Sequence, residues 1–366
     1  MLPPPSRFWQ RRRKLIIVGF LIGALAIVYL GGFWRPLPRI SVPSYYLDTI
    51  VYASLFGLMA IGLTLTYLTT KVPNFAYGSF VTIGIYTSFT LFKLDQLDPY
   101  VSTLIAFLIG AVSSVGMYLG ILRVLARRGS SLIALMIATL AIDIAFVGVF
   151  GIFSDYLTSH FGILDSKKFF RLRADFSLFG TPGVLFVAPI SLALITATLY
   201  LFLNRTRFGI ALRAAVENPS LARVLGIDVE RAYVFAWFLA GGLAATAGSY
   251  STLWLAGGTT SGSNLIVEIF ASSVLGGLAS IYGAAVGGLI IGATEILLTQ
   301  VGINLVGSWV SIYQKGVPLA IMVITLLLFP QGLVSIKWVG SVRRLKRSVQ
   351  GLRSVIRRVR RGSRVK

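Results

Sequence analysis

Apolar residues in this sequence gather into blocks of about 17–25 residues, and short polar stretches between them hold most of the charge. A helix rising 1.5 Å per residue needs about 20 such residues to cross roughly 30 Å of hydrocarbon. Blocks of that length predict membrane-spanning helices rather than the core of a soluble domain. Ten segments qualify: 15–33, 45–69, 75–92, 100–122, 132–153, 183–203, 232–255, 265–280, 284–301 and 316–329. The last three are short and interrupted by glycine; half-helices among them would lower the number of spans to eight. The expected fold is therefore an all-α polytopic membrane protein with about 8–10 transmembrane helices, some of them broken.

The polar stretches orient the bundle. With the N-terminus in the cytoplasm and ten spans, 26 of the 34 Lys and Arg residues fall on the inside, so both termini are expected to be cytoplasmic. Lys167, Lys168, Arg171 and Arg173 run against this trend in the loop 154–182, which the same topology places outside. Several spans carry small residues four apart, which lets helix backbones approach closely in lipid: Gly19 and Gly23, Gly116 and Gly120, Ala244 and Gly248, Gly283 and Gly287, Gly288 and Gly292. Residues 1–335 are read as the transmembrane domain. Residues 336–366 are read as a basic tail, in which Val342, Leu345, Val349, Leu352, Ile356 and Val359 make an amphipathic helix suited to an anionic inner leaflet.

Composition narrows the chemistry. The chain is 56% hydrophobic with a net charge of +22, but its basic residues lie between and beyond the apolar blocks rather than on one face, which excludes a nucleic-acid surface. There is no cysteine, and His160 is the only histidine, so no metal site and no cofactor is expected. With no clustered acid–base set, no catalytic residue is assigned and an embedded enzyme is disfavoured. Arg11, Arg12, Arg13 and Lys14 precede an apolar run that ends in Gly31-Gly32-Phe33-Trp34 without a small-residue cleavage site, so the run reads as an uncleaved first span.

The most informative polar stretch is 204–231. Ala211, Ala215, Leu221, Val224 and Leu225 recur at near-helical intervals, and Asn218 is placed to cap a helix that begins at Pro219. Two short helices joined by a turn follow, serving either to transmit force to the flanking spans or simply to link them. Within the spans, Asp143, Glu268 and Glu295 are acids in a medium where an ionised carboxylate costs at least about 2.5–3.5 kcal/mol. Each marks a hydrated pathway, a contact for a substrate's ammonium group or an ion pair, or else sits near the headgroups or holds a proton. Segments 71–78 and 274–288 set glycine, asparagine or proline beside an apolar span in each half of the chain, the pattern of a transporter gate or of two tight turns.

Four segments resemble the permeases of branched-chain amino-acid ABC importers. Ala214-Ala215-Val216-Glu217-Asn218-Pro219-Ser220-Leu221-Ala222-Arg223-Val224-Leu225-Gly226-Ile227 is similar to that family's cytoplasmic coupling loop. Asn74-Phe75-Ala76-Tyr77-Gly78 resembles its Asn-Phe-Ala-His-Gly. Val274-Leu275-Gly276-Gly277-Leu278-Ala279-Ser280, with Gly283, Gly287 and Gly288, resembles its glycine run, and Phe329-Pro330-Gln331-Gly332-Leu333 resembles its closing Arg-Pro-Gln-Gly-Leu. The segments occur in the family's order over about residues 45–335. Tyr77 stands where the family often has His and Glu268 where many members have Lys, departures that bear on the substrate more than on the fold. Glu295 matches an acidic position of the family.

The resemblance implies an inner-membrane permease worked by alternating access. Its implied partners are cytosolic ABC ATPase subunits, a second permease subunit that is homologous or identical, an extracytoplasmic substrate-binding protein and the lipid bilayer. The chain contains no G-x-x-x-x-G-K-[ST] segment, so hydrolysis is expected on another subunit. Glu217, Asn218, Ala222, Gly226 and Ile227 are the expected ATPase contacts; Asn74, Tyr77, Gly78, Gly276, Gly277 and Gly283 are the expected gate. The implied cargo is a small polar solute, branched-chain or other amino acids first, with urea, amides or a sugar as alternatives. A secondary transporter coupled to ions at Asp143 or Glu295 is the rival mechanism.

Overall fold

The computed structural model describes residues 44–178, 180–329 and 331–333; the expected span 15–33 and the amphipathic tail lie outside them. Eleven α-helices in the described residues carry the fold. They are α1 (Ser44–Thr70), α2 (Tyr77–Asp95), α3 (Pro99–Arg127), α4 (Leu132–Phe161), α5 (Val184–Arg205), α6 (Arg207–Glu217), α7 (Pro219–Val224), α8 (Val229–Ser251), α9 (Ile266–Gly276), α10 (Ile281–Val306) and α11 (Gly316–Leu328). Six of them (α1, α3, α4, α5, α8 and α10) are long and apolar enough to cross a membrane. Helix α2, with 19 residues, reaches about 28 Å.

Helices α1, α2 and α8 form the centre, and glycine is what lets them meet. A Cβ at Gly84 of α2 would strike the Ala245 backbone of α8, and one at Gly248 of α8 would strike the Val81 carbonyl of α2. On the other side of α1, Gly288 and Gly292 of α10 lie against the backbone at Gly57 and Ala53. Lipid supplies no hydrophobic drive between helices, so this close packing, with hydroxyl bonds across it, holds the bundle together. Thr103 of α3 and Ser249 of α8 share a hydrogen bond of 2.6 Å, and Ser102 donates to Ser88 of α2 at 3.0 Å. Each such bond contributes about 0.6 kcal/mol.

The outer helices face lipid. Only 11% of the apolar window of α4 is buried, and Ile133, Ile144 and Ile152 point away from the protein, an arrangement that hydrocarbon tolerates and water would not. A π-turn at Tyr118–Leu122 interrupts α3 where Tyr118 stacks on Trp237 of α8.

Several expectations need correction. Segment 284–301 is not a short interrupted span: α10 runs unbroken for 26 residues, because its glycines serve helix contacts rather than turns. Segment 265–280 is shorter than expected, since α9 has 11 residues and reaches about 16 Å, half a crossing. Segment 75–92 begins later, at Tyr77, with 71–76 outside any helix. Gly116 and Gly120 have nothing within 4 Å and pack against no helix among the described residues.

The loop 154–182 does not stand apart from the bundle. Helix α4 continues to Phe161 and is capped by Gly162 at φ 68°. Beyond it, strand β1 (Lys168–Phe169) pairs antiparallel with β4 (Gly257–Gly258), and β2 (Ser177–Leu178) pairs with β3 (Thr181–Pro182). Phe169 stacks on Phe89 at 4.0 Å and fits the space that Gly257 leaves open. Lys167, one of the four basic residues there, pairs with Asp155 at 2.7 Å.

Candidate functional site

The stretch between α5 and α8 folds into a short hairpin, and each of its corners is capped. The Thr206 hydroxyl accepts from the Gly209 amide at 3.0 Å and starts α6. Gly209 lacks the Cβ that would collide with the Phe202 carbonyl, so α6 can fold sharply back from α5. Asn218 accepts from the Leu221 amide at 3.0 Å and starts α7 with Pro219 in its first position, as the spacing predicts. Gly226, at φ 79°, ends α7, and Asp228 caps α8 by accepting from the Arg231 amide at 3.1 Å.

The inner face of this hairpin is apolar: Leu212, Ala215 and Ala222 pack with Leu203 of α5 and Val229, Ala232 and Ala236 of α8. The hairpin is thus fixed to two spans. Its outer face also carries apolar side chains. Ala215 faces inward, but Leu221 is 54% and Val224 83% exposed, with Leu225, Ile210 and Phe208 beside them in the exposed class. Asn218 separates α6 from α7, as the sequence suggests, and α7 presents a different face from α6. Among the expected coupling residues, Glu217, Asn218 and Gly226 are exposed, Ile227 is half-buried, and Ala222 is buried in the seam. Glu217 lies 3.9 Å from Arg213.

Two clefts flank the hairpin. One, of about 610 Å³, is lined by Thr69, Tyr118, Arg123, Arg127, Arg223 and Glu230. Glu230 holds Arg123 at 2.6 Å and Arg127 at 3.4 Å, tying the end of α3 to the start of α8. The other, of about 430 Å³, is lined by Lys71, Asn204, Arg213, Glu217, Ser280 and Tyr282. Partial burial holds the Lys71 ammonium below the ordinary lysine range.

The expected gate residues separate into two groups. Asn74 is 1% exposed, and neither atom of its side-chain amide has a hydrogen-bond partner among the described residues. Tyr77 is fully buried and donates to the Ala240 carbonyl at 3.4 Å. Gly78 abuts the backbone of Gly262 and Ser263, so the break at 71–76 meets the irregular stretch before α9. Phe75 also reaches Phe270 of α9, with ring centroids 5.2 Å apart. Gly276, Gly277 and Gly283 lie at the other end of α9, in its turn into α10, where Ser280 accepts from the Gly283 amide at 3.1 Å. Gly277, at φ 104°, lies against the Gln331 carbonyl. Two stretches singled out in the sequence, 274–288 and 329–333, therefore touch.

The three intramembrane acids occupy two places. Asp143 accepts from Ser79 at 2.6 Å and from Ser263 at 3.0 Å, joining the start of α2 to the stretch before α9. Sequence reasoning missed both serines, which carry no pattern of their own. Asp143→Ala, which leaves both hydroxyls without that acceptor, is expected to cost about 1–3 kcal/mol. A thermal melt of the detergent-solubilised protein checks this, and an unchanged midpoint would refute it. Glu268 and Glu295 are 1% and 2% exposed. Lys315 reaches Glu268 at 3.8 Å, and Gln314 donates to Glu295 at 2.9 Å. Neither Gln314 nor Lys315 was legible as a partner, since both lie beyond the end of α10.

Over residues 45–326 the sequence matches the family described as "Branched-chain amino acid transport system / permease component". A probable branched-chain amino acid transport permease protein of Methanocaldococcus jannaschii is 44% identical over 298 residues, covering 81% of this chain and 93% of its own. The high-affinity branched-chain amino acid transport system permease protein of Escherichia coli K12 is 26% identical, over 78% of this chain and 92% of its own. A ribose import permease protein of the same organism is 24% identical, over 87% and 93%.

Proposed function

This chain belongs to the permease family of branched-chain amino acid transport systems, and we propose that it carries branched-chain amino acids inward through the membrane, powered by separate cytosolic ATPases. It is a multi-pass membrane protein and a transport component. The cargo assignment draws on the relatives: the 44% relative is named for branched-chain amino acids, whereas the ribose permease stands at 24%.

One observation supports the ATPase reading above the others. The α6–α7 hairpin packs between α5 and α8 and presents apolar side chains at its tip, which none of the described residues covers. Exposed leucine and valine on a polar loop, away from the lipid-facing belt, need a protein partner. A partner pressing on α7 would move α5 and α8 together, and α8 packs against α2 and α3 across the centre. Glu217, Asn218, Gly226 and Ile227 shape that tip, while Ala222 holds it to the bundle from within. Glycine at 226 is required by its positive φ rather than by crowding, since a Cβ there would meet nothing within 4 Å.

The remaining partners follow from the same division of labour. A second permease subunit, identical or homologous, completes the pathway. A substrate-binding protein delivers cargo at the opposite end, where β1 and β4 brace the outer loops.

The chain contains no cysteine, which makes a direct test simple. Val224→Cys in the full complex is expected to react with a membrane-impermeant maleimide only from the cytoplasmic side, and to crosslink to the ATPase subunit. Labelling from the outside, or a crosslink to the substrate-binding protein, would refute the assignment.

A further inference from the structure

Glu268 and Glu295 are buried next to each other with too little positive charge for two carboxylates. Glu268 lies in the first turn of α9. Glu295 lies 14 residues into α10, about 21 Å from its first residue, which the topology expected from the Lys and Arg distribution sets at the cytoplasmic side, so that Glu295 falls in the outer half of the membrane. Tyr52 of α1 stands close enough to feel the charge of both carboxylates and of Asp48, which is itself engaged by the indole of Trp254 at 2.8 Å. Among the described residues the one cation paired with either carboxylate is Lys315, whose side chain is 58% exposed and whose ammonium donates to the Asn264 carbonyl at 2.7 Å. One oxygen of each carboxylate, Oε2 of Glu268 and Oε2 of Glu295, is buried without a hydrogen-bond partner among the described residues.

Two ionised carboxylates facing one lysine leave a negative charge uncompensated, and an unpaired buried charge costs several kcal/mol. The group that already visits the pair is a primary ammonium on a long stem reaching in from the outer rim. An amino acid's α-ammonium is the same chemical group and brings three N–H donors to the two open oxygens.

We infer that the Glu268–Glu295 pair is an ammonium subsite of the translocation pathway, and that Lys315 is a tethered ammonium occupying it between transport events. An incoming amino acid displaces Lys315, which then meets the substrate's carboxylate. This rests on the amino-acid reading above and adds to it the residues that hold the cargo's charge. Asp143 takes no part, because its hydrogen bonds go to Ser79 and Ser263.

The experiment uses the complete complex in proteoliposomes and adds external methylammonium chloride, with sodium chloride at equal concentration as the control. A tethered competitor acts at millimolar effective concentration, so removing it with Lys315→Met lowers the methylammonium concentration for half-inhibition of uptake by about tenfold. Sodium does not reproduce this shift, and adding Glu268→Gln to Lys315→Met abolishes it. Equal sensitivity of wild type and Lys315→Met would overturn the inference. So would a sodium effect as strong as that of methylammonium, or a response that survives Glu268→Gln. A second arm needs no transport: methylammonium should raise the melting temperature of purified Lys315→Met full-length protein more than sodium does. If the wild-type complex shows no nucleotide-driven uptake while this stabilisation is present and lost with Glu268→Gln, the transport reading fails and the ammonium site stands.

Discussion

Replacing Leu221 and Val224 together with aspartate is expected to reduce nucleotide-driven uptake about 30-fold or more, while the protein still inserts and purifies in normal amounts. Both side chains lie on the exposed face of α7 and take no part in the seam that holds the hairpin to α5 and α8. Their loss therefore costs this chain little stability. A partner that buries them loses apolar contact and must desolvate two carboxylates, and central interface residues of this kind contribute about 2 kcal/mol or more each. Ala222→Asp is expected to behave differently, because that position faces inward: the hairpin should detach and the yield of folded protein should fall. Uptake and yield measured on the two variants separate a docking surface from a structural linker. Normal uptake in the double aspartate variant would count against docking at this tip.

Gly84→Val is expected to destabilise the protein by about 3 kcal/mol or more, close to loss of the folded state in detergent. A Cβ at that position meets the main chain of Ala245, and backbone cannot rotate away as a side chain can. Relieving the clash means separating α2 from α8 along the seam that also holds the Ser88 and Ser249 hydroxyls. Gly116→Val is the matched control. It places the same side chain on a helix with nothing within 4 Å, and its expected effect is within about 0.5 kcal/mol. Thermal melts of the two solubilised variants decide the matter, and equal midpoints would contradict the packing described for α2 and α8.

These two glycines show how far the sequence could be read. The lengths of the apolar blocks are enough to call for a helical membrane protein, because hydrocarbon permits little else. Asn218 and Pro219 announce a helix start whatever the tertiary surroundings, and the structure has one there. Small residues four apart indicate that a helix can be approached closely, but not that anything approaches. Ala244 is buried and Gly248 meets α2, whereas Gly116 and Gly120 meet nothing among the described residues. The same ambiguity made α10 look broken, since glycine in a membrane helix marks a contact as readily as a turn. Glu268 and Glu295 could be flagged from the sequence as costly acids, yet their relation to Gln314 and Lys315 depends on how α11 returns across the bundle, which no local pattern encodes. Asp143 likewise acquires meaning only when Ser79 and Ser263, 184 residues apart in the sequence, are folded onto it together.

The decisive measurement is uptake of radiolabelled leucine into proteoliposomes that contain this chain with its second permease subunit and ATPases, with the substrate-binding protein outside and ATP inside. The account predicts accumulation against a gradient that requires ATP, stops when the ATPase is inactivated, and is lost when Leu221 and Val224 become aspartate. Accumulation that proceeds without nucleotide, driven by a proton or sodium gradient alone, would contradict it.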